Sequence, residues 1–506
     1  MEKQSSYHIF YYTFLWYDMN NLISQDCSQK DIWSELNDFK SNNKWIRKQE
    51  ALKFPSTDEA PTYFNEMCYF HEYTHQILFD KNKRSHVLHF ERIELEKNNS
   101  EVRYIIESKE KTYNLKVDRF CLDLYELGVG ILSFYLDNDM ENFTPQDVCA
   151  INSLGRCVYI PFWEDQKLHN YVPHKLSISG LRDEYVHEYE LSETSDINSL
   201  TPWSLPEHIH KLLWTDLFCR YSTVSINAAL DNRMFVNCSY YNDELAKKIS
   251  TLDLKTEKNE SILIWKSLYG IDELKSLDEQ AISQIDNEDI CNHTYTLWKK
   301  GGTLYGYTRY SFVTLTNTQF TKLHMQTLYS RILKLVLLQK SSVLYFSKEI
   351  SVISLNQDNE EYLIEVVRRI YNQYITFSNH IYFDDITPQP QGSELYNILQ
   401  KELEIEKSVT KLNHSIEEVY NSLSTTMYAS KRDRQSRALN WIAVLFLPPS
   451  LVTGFCGMSQ LWYEKFTFDL FVVECLWSIA ITLMLALFFW IITKPSGRKK
   501  KHRLFL

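Results

Sequence analysis

Two apolar runs near the C-terminal end restrict this chain more than any other feature. Residues 439–458 read LNWIAVLFLPPSLVTGFCGM, without a charge. Residues 470–492 read LFVVECLWSIAITLMLALFFWII, with Glu474 as the single acid. A helix rising 1.5 Å per residue needs about 20 residues to cross a hydrocarbon layer of roughly 30 Å. Both runs are long enough, so they are either deeply buried core helices or membrane spans. The flanks favour spans. Lys431, Arg432, Arg434 and Arg437 precede the first run, and Lys494, Arg498, Lys499, Lys500, Lys501 and Arg503 follow the second. The linker SQLWYEKFTFD carries only Lys465. Basic residues collect on the cytoplasmic side, so both ends are expected inside and the linker outside. Trp462, Tyr463 and Phe466 suit the outer interface and Trp490 the inner one. No earlier run is long enough to span, and IFYYTFLWY is too short and lacks the basic flank of a signal peptide. The expectation is a multi-pass protein of the inner (plasma) membrane with cytoplasmic N- and C-termini.

The chain has 506 residues, room for two or three domains besides the spans. With 24% charged and 44% hydrophobic residues it is a folded chain. Its 12 glycines leave little scope for Gly-rich phosphate loops, and a net charge of −11 argues against direct nucleic-acid binding. The 10 cysteines are scattered and form no Cys-x-x-Cys pair, the usage of a reducing compartment.

Up to about residue 317 the pattern is mixed α/β. SSYHIFYYTFLWYD reads as an aromatic strand, and strand signals follow at 86–95, 101–107 and 111–117. FCLDLYELGVGILSFYLDND reads as strand, bend and strand, with Gly128 and Gly130 at the break. A helix is expected from Pro145 to Leu154, ended by Gly155. From Thr318 the apolar spacing becomes helical, a second helix follows over 360–377, and Pro388 and Pro390 mark a break. Then Leu395, Ile398, Glu402, Ile405, Val409, Leu412, Ile416, Val419, Leu423, Thr426 and Ser430 recur at alternating steps of three and four. That is a heptad seam entering the first apolar run. It reads either as one amphipathic helix packed on its own domain or as a parallel self-associating stalk. The second suits the run it feeds.

The first run resembles the pore helix of the CorA family of two-span divalent-cation channels. The carriers are Pro448, Gly454 and the triplet Gly457-Met458-Ser459, where that family has Gly-Met-Asn. The resemblance implies an α+β cytosolic domain, a long stalk helix and two C-terminal transmembrane helices in a CorA-like, funnel-shaped homopentamer. It places Asp433, Leu439, Leu447, Ser450, Gly454 and Ser459 towards a pore axis, with Pro448 and Pro449 as a hinge. It also implies a divalent cation, magnesium, in the pore. The layout expected is a sensor domain over 1–317, a helical region over 318–392, a stalk over 393–437, spans over 438–459 and 470–493, an outer loop over 460–469 and a basic tail over 494–506.

Three further patterns bear on function. His71-Glu72-Tyr73-Thr74-His75 matches a zinc-protease helix motif, though its aromatic surroundings read equally as strand, where residues four apart cannot share one ion. Asn152 and Arg156, in INSLGR, form a polar turn able to hold a phosphate-bearing ligand or simply end a helix. No complete catalytic motif is present, so the chain is read as a non-enzyme. The long N-terminal part, with GVGILSFYLDN and INSLGR, is similar to the CorA-like membrane proteins that accompany type III CRISPR systems. That resemblance implies an antiviral effector gated by a nucleotide second messenger. A housekeeping transporter of magnesium or another divalent ion is the alternative, and a membrane-tethered zinc protease a remote third.

Overall fold

The computed structural model describes residues 4–16, 29–49, 60–93, 101–159, 172–189 and 205–421, except 222, 223, 232, 273–278 and 356–359, and scattered positions between 432 and 484. The chain divides into two units, Met1–Ile416 and Glu417–Leu506.

The first unit is built on one mixed sheet of 13 strands. They are β1 (Ser5–Leu15), β2 (Trp45–Arg47), β3 (Val87–Arg92), β4 (Arg103–Glu107), β5 (Thr112–Tyr125), β6 (Val129–Asn138), β7 (Lys175–Ser179), β8 (Tyr185–Glu188), β9 (Asn227–Ala228), β10 (Phe235–Tyr241), β11 (Thr294–Tyr295), β12 (Thr303–Thr308) and β13 (Ser311–Thr316). Their order is β11-β12-β13-β10-β1-β6-β5-β4-β7-β8, with β3 also on β5, β2 on β3 and β9 on β1. Only β10 and β13 pair in parallel. β1 lies near the middle, antiparallel to β10 and β6. All but its first residue are buried. A strand covered on both faces reads as a continuous aromatic and β-branched run rather than an alternation, which is what SSYHIFYYTFL shows.

Eight helices set the surroundings of the sheet. They are α1 (Ala60–Tyr69), α2 (His75–Leu78), α3 (Pro145–Gly155), α4 (Glu260–Gly270), α5 (Phe320–Gln326), α6 (Leu328–Leu355), α7 (Glu360–His380) and α8 (Pro390–Glu402). Both sides of the sheet are covered. α3 packs on β1, β4 and β10 and against α4, whereas α6 packs on β1 and β6. The start of α3 is set by local chemistry. Thr144 accepts from the Asp147 amide, the Asp147 carboxylate accepts from the Thr144 amide, and Pro145 opens the first turn. At its other end Gly155 permits close packing: a Cβ there would lie 2.8 Å from Ile106 and Phe10.

A bulge in β5 sets the geometry of the face under α6. Val117 pairs with Leu136 of β6, and Arg119 pairs with Tyr135, so Asp118 is an extra residue. Alternation therefore shifts by one. Val117 and Phe120 stand on the same face, and Arg119, Cys121 and Asp123 stand on the other.

Several expectations are corrected by this architecture. Among the described residues no helix is long and apolar enough to cross a membrane. The expected two-span architecture, its channel and membrane character and its multi-pass inner-membrane placement are overturned by that finding. The longest described helix, α6, shows why: its 28 residues include Arg331, Lys334, Lys340, Lys348 and Glu349. The apolar runs themselves fall almost wholly outside the described residues, as do Asp433, Leu447, Pro448, Pro449, Gly457, Met458 and Ser459. Leu439, Ser450 and Gly454 are helical and exposed. The helices after residue 317 belong to the same unit as the sheet. The seam is not one uninterrupted helix: α8 ends at Glu402, and Glu404 has φ 50° before helix resumes at 405. Leu395, Leu399, Ile405, Leu412 and Ile416 are buried within the unit, the arrangement of an amphipathic helix packed on its own domain.

Candidate functional site

Between the bulged face of the sheet and α6 lies a cavity of about 140 Å³ whose walls are charged. From the sheet come His89 and Glu91 of β3, Arg119, Cys121 and Asp123 of β5, and Tyr135 of β6. From α6 come Ser330, Arg331 and Lys334, one turn apart on one side of the helix. Glu66 of α1 closes the rim.

Most of these charges are paired. The His89 Nδ1 and Asp123 Oδ1 are 2.7 Å apart, and Lys334 Nζ is 2.7 Å from Asp123 Oδ2. Burial opposes charge on His89 and Lys334, but the adjacent Asp123 outweighs it and both pKa values rise well above the ordinary. Burial likewise opposes charge on Asp123, and the two cations pull its carboxyl far below the usual range. Glu91 lies 3.4 Å from His89 Nε2 through one oxygen and 2.8 Å from Lys48 Nζ through the other. Arg331 donates to Glu66 at 2.8 Å and to the Leu78 carbonyl at 2.7 Å.

Arg119 is different. Its guanidinium lies 4.2 Å from the Tyr135 ring centre, and one amino group donates to the Gln326 carbonyl at 3.3 Å. Its Nε is buried with no hydrogen-bond partner. Among the described residues no carboxylate lies within ion-pair distance of it. An arginine held against an aromatic face with free donors, beside Lys334, is an anion-recognising arrangement.

One group among the described residues could share a metal ion. The ligand atoms of His89, Glu91 and Cys121 all lie within 4.8 Å of one another.

The residues singled out from the sequence lie elsewhere. Asn152 and Arg156 are on α3 and just after it, across the sheet from the cavity. Asn152 is fully buried and its Oδ1 is 2.7 Å from His8 Nδ1, so its amide serves the core. Arg156 is 3% exposed and lies 4.6 Å from the Tyr310 ring centre; burial and the neighbouring Arg233 lower its pKa to about 10. His71 and His75 do not form a metal pair. Residues Glu72–Thr74 form a 3₁₀ turn, His71 Nε2 lies 3.4 Å from Asp385, and His75 meets the Met67 and Phe70 carbonyls and Lys81. Sequence reading missed Arg119, Asp123 and Lys334. A signal was present: Arg119, Cys121 and Asp123 alternate with Phe120, Leu122 and Leu124, which puts two charges on one face of an otherwise apolar strand.

Comparison of the chain with protein-family models, with curated proteins and with solved structures gave no match.

Proposed function

We propose that the first unit is a ligand-recognition domain that reads a phosphate-bearing small molecule, a nucleotide second messenger being the class expected from the sequence. The observation that carries this reading is Arg119, a largely buried guanidinium without a carboxylate, facing a cavity also lined by Lys334 and Arg331. Complete small-molecule sites occupy roughly 300–1,000 Å³. A cavity of about 140 Å³ therefore suits the phosphoryl group, with the rest of the ligand at the mouth.

The same helix offers a way to report binding. Beyond Lys334, α6 presents Gln339, whose amide donates to the Tyr396 hydroxyl of α8 and to the Ile381 carbonyl, both at 2.8 Å. One residue on, Lys340 Nζ is 3.3 Å from Ser408 Oγ. A ligand that grips Arg331 and Lys334 differently in two arrangements of α6 shifts the balance between them, and α8 moves with it.

The test is calorimetric titration of the full chain, with chelator present, using inorganic phosphate, pyrophosphate and linear and cyclic nucleotides. At least one phosphorylated ligand is expected to bind, and Arg119→Gln to weaken it by roughly tenfold or more, the worth of a charge-assisted hydrogen bond. Absence of binding by any phosphorylated ligand up to ~1 mM would overturn the reading.

A further inference from the structure

We propose that His89, Glu91 and Cys121 form a binding site for a thiophilic divalent ion, zinc foremost, on the wall of this cavity. The inference does not rest on the proposed phosphate recognition. It begins with strand register. In the β3–β5 pair Glu91 stands opposite Cys121 and His89 opposite Asp123. Residues two apart on a strand share a face, so these four side chains make a two-by-two patch. The backbone alone brings a carboxylate, an imidazole and a thiol together, and their ligand atoms lie within 4.8 Å of one another.

The fourth member of the patch supports the assignment. Metal-bound histidines generally give their second ring nitrogen to a carboxylate, which fixes the ring and makes it a better donor. Here Asp123 Oδ1 holds His89 Nδ1 at 2.7 Å, which leaves Nε2 directed at Glu91 and Cys121. The Nε2 to Glu91 Oε1 distance is 3.4 Å, long for a hydrogen bond. Two ligands bound at 2.0–2.1 Å to a tetrahedral ion lie about 3.4 Å apart. Asp123 and the second Glu91 oxygen are in turn fixed by Lys334 and Lys48, both 2.7–2.8 Å away.

The donor set selects the ion. Thiolate with imidazole and carboxylate suits zinc and its neighbours, and a magnesium ion wants an all-oxygen shell. Three protein ligands leave one tetrahedral position, and it faces the cavity. Structural zinc sites are closed by four protein ligands; a three-ligand site keeps a place for water or a bound molecule.

The experiment uses the full-length protein, stripped with chelator and titrated with Co(II) alone and then Zn(II) alone, without nucleotide. The expected result is one Co(II) per chain, with a near-ultraviolet thiolate-to-cobalt band and visible bands of tetrahedral intensity, all abolished by Zn(II). Cys121→Ser should remove the thiolate band. Asp123→Asn should weaken zinc roughly 10–100-fold, the usual effect of losing such a supporting partner. Cys219→Ser, at an exposed cysteine, should change nothing. A wild-type protein without the thiolate band, or a band that survives Cys121→Ser, would overturn the proposal. Should Cys121→Ser not fold, the wild-type spectrum and a Glu91→Gln titration decide: undiminished affinity in Glu91→Gln would also overturn it. Because nucleotide is absent here, and chelator is present in the ligand titration, either reading can fail without the other.

Discussion

His8 shows how much single residues on the central strand are constrained. It is fully buried, with Asn152 on one ring nitrogen and Ser6 on the other. Burial lowers its pKa from 6.5 to about 4, and the Asn152 bond offsets only part of that. Above pH 6.5 the ring is neutral folded or unfolded. As pH falls from about 6.5 to 4, the unfolded chain takes up a proton that the folded chain refuses, and stability drops by about 3 kcal/mol. His8→Asn removes that titration. The difference between wild-type and variant urea midpoints should be constant above pH 6.5 and shift towards the variant below it; a difference that does not change with pH would refute this. A strand reading locates His8 but says nothing of its polar partners, because Asn152 is 144 positions away. Arg119 was hidden for the same reason: its environment is made by α6, which no local pattern joins to β5.

At the scale of elements, local signals served where the deciding chemistry was local. Thr144, Pro145 and Asp147 are a complete helix start within four residues, and the helix begins there. Thr144→Ala should cost about 1 kcal/mol in chemical denaturation, and Thr144→Ser much less, since a serine hydroxyl can accept the same bond. The hairpin between β5 and β6 was legible too, because Gly128 takes φ 89°, a conformation a bulkier residue adopts with strain. The seam was misread for a physical reason. Steps of three and four residues describe an apolar stripe without saying whose surface covers it, and in α8 that surface is α6. The break after α8 carries no sequence mark either, since Glu404 enters the left-handed region with neither glycine nor proline beside it.

For the molecule as a whole, hydropathy was an unsafe guide. The apolar runs and basic flanks argued for a bilayer. The described residues instead make a sheet covered by helices that carry charge on their exposed turns, and none of these helices is fit to span. What the whole molecule depends on is counting. On either side of Asp118 the strand β5 is read in opposite frames, odd residues towards α3 before it and towards α6 after it. Removing Asp118 alone would force one half into the wrong frame. Either Arg119, Cys121 and Asp123 would turn into the apolar layer beneath α3, or Tyr113, Leu115 and Val117 would leave it. Substitutions at Asp118, which is exposed, should be mild, whereas its deletion should abolish cooperative unfolding or the cavity's ligand and metal binding together. Calorimetry and the two titrations would show it. A descendant of this chain can vary the letter at this position freely, but it cannot lose the space the letter occupies.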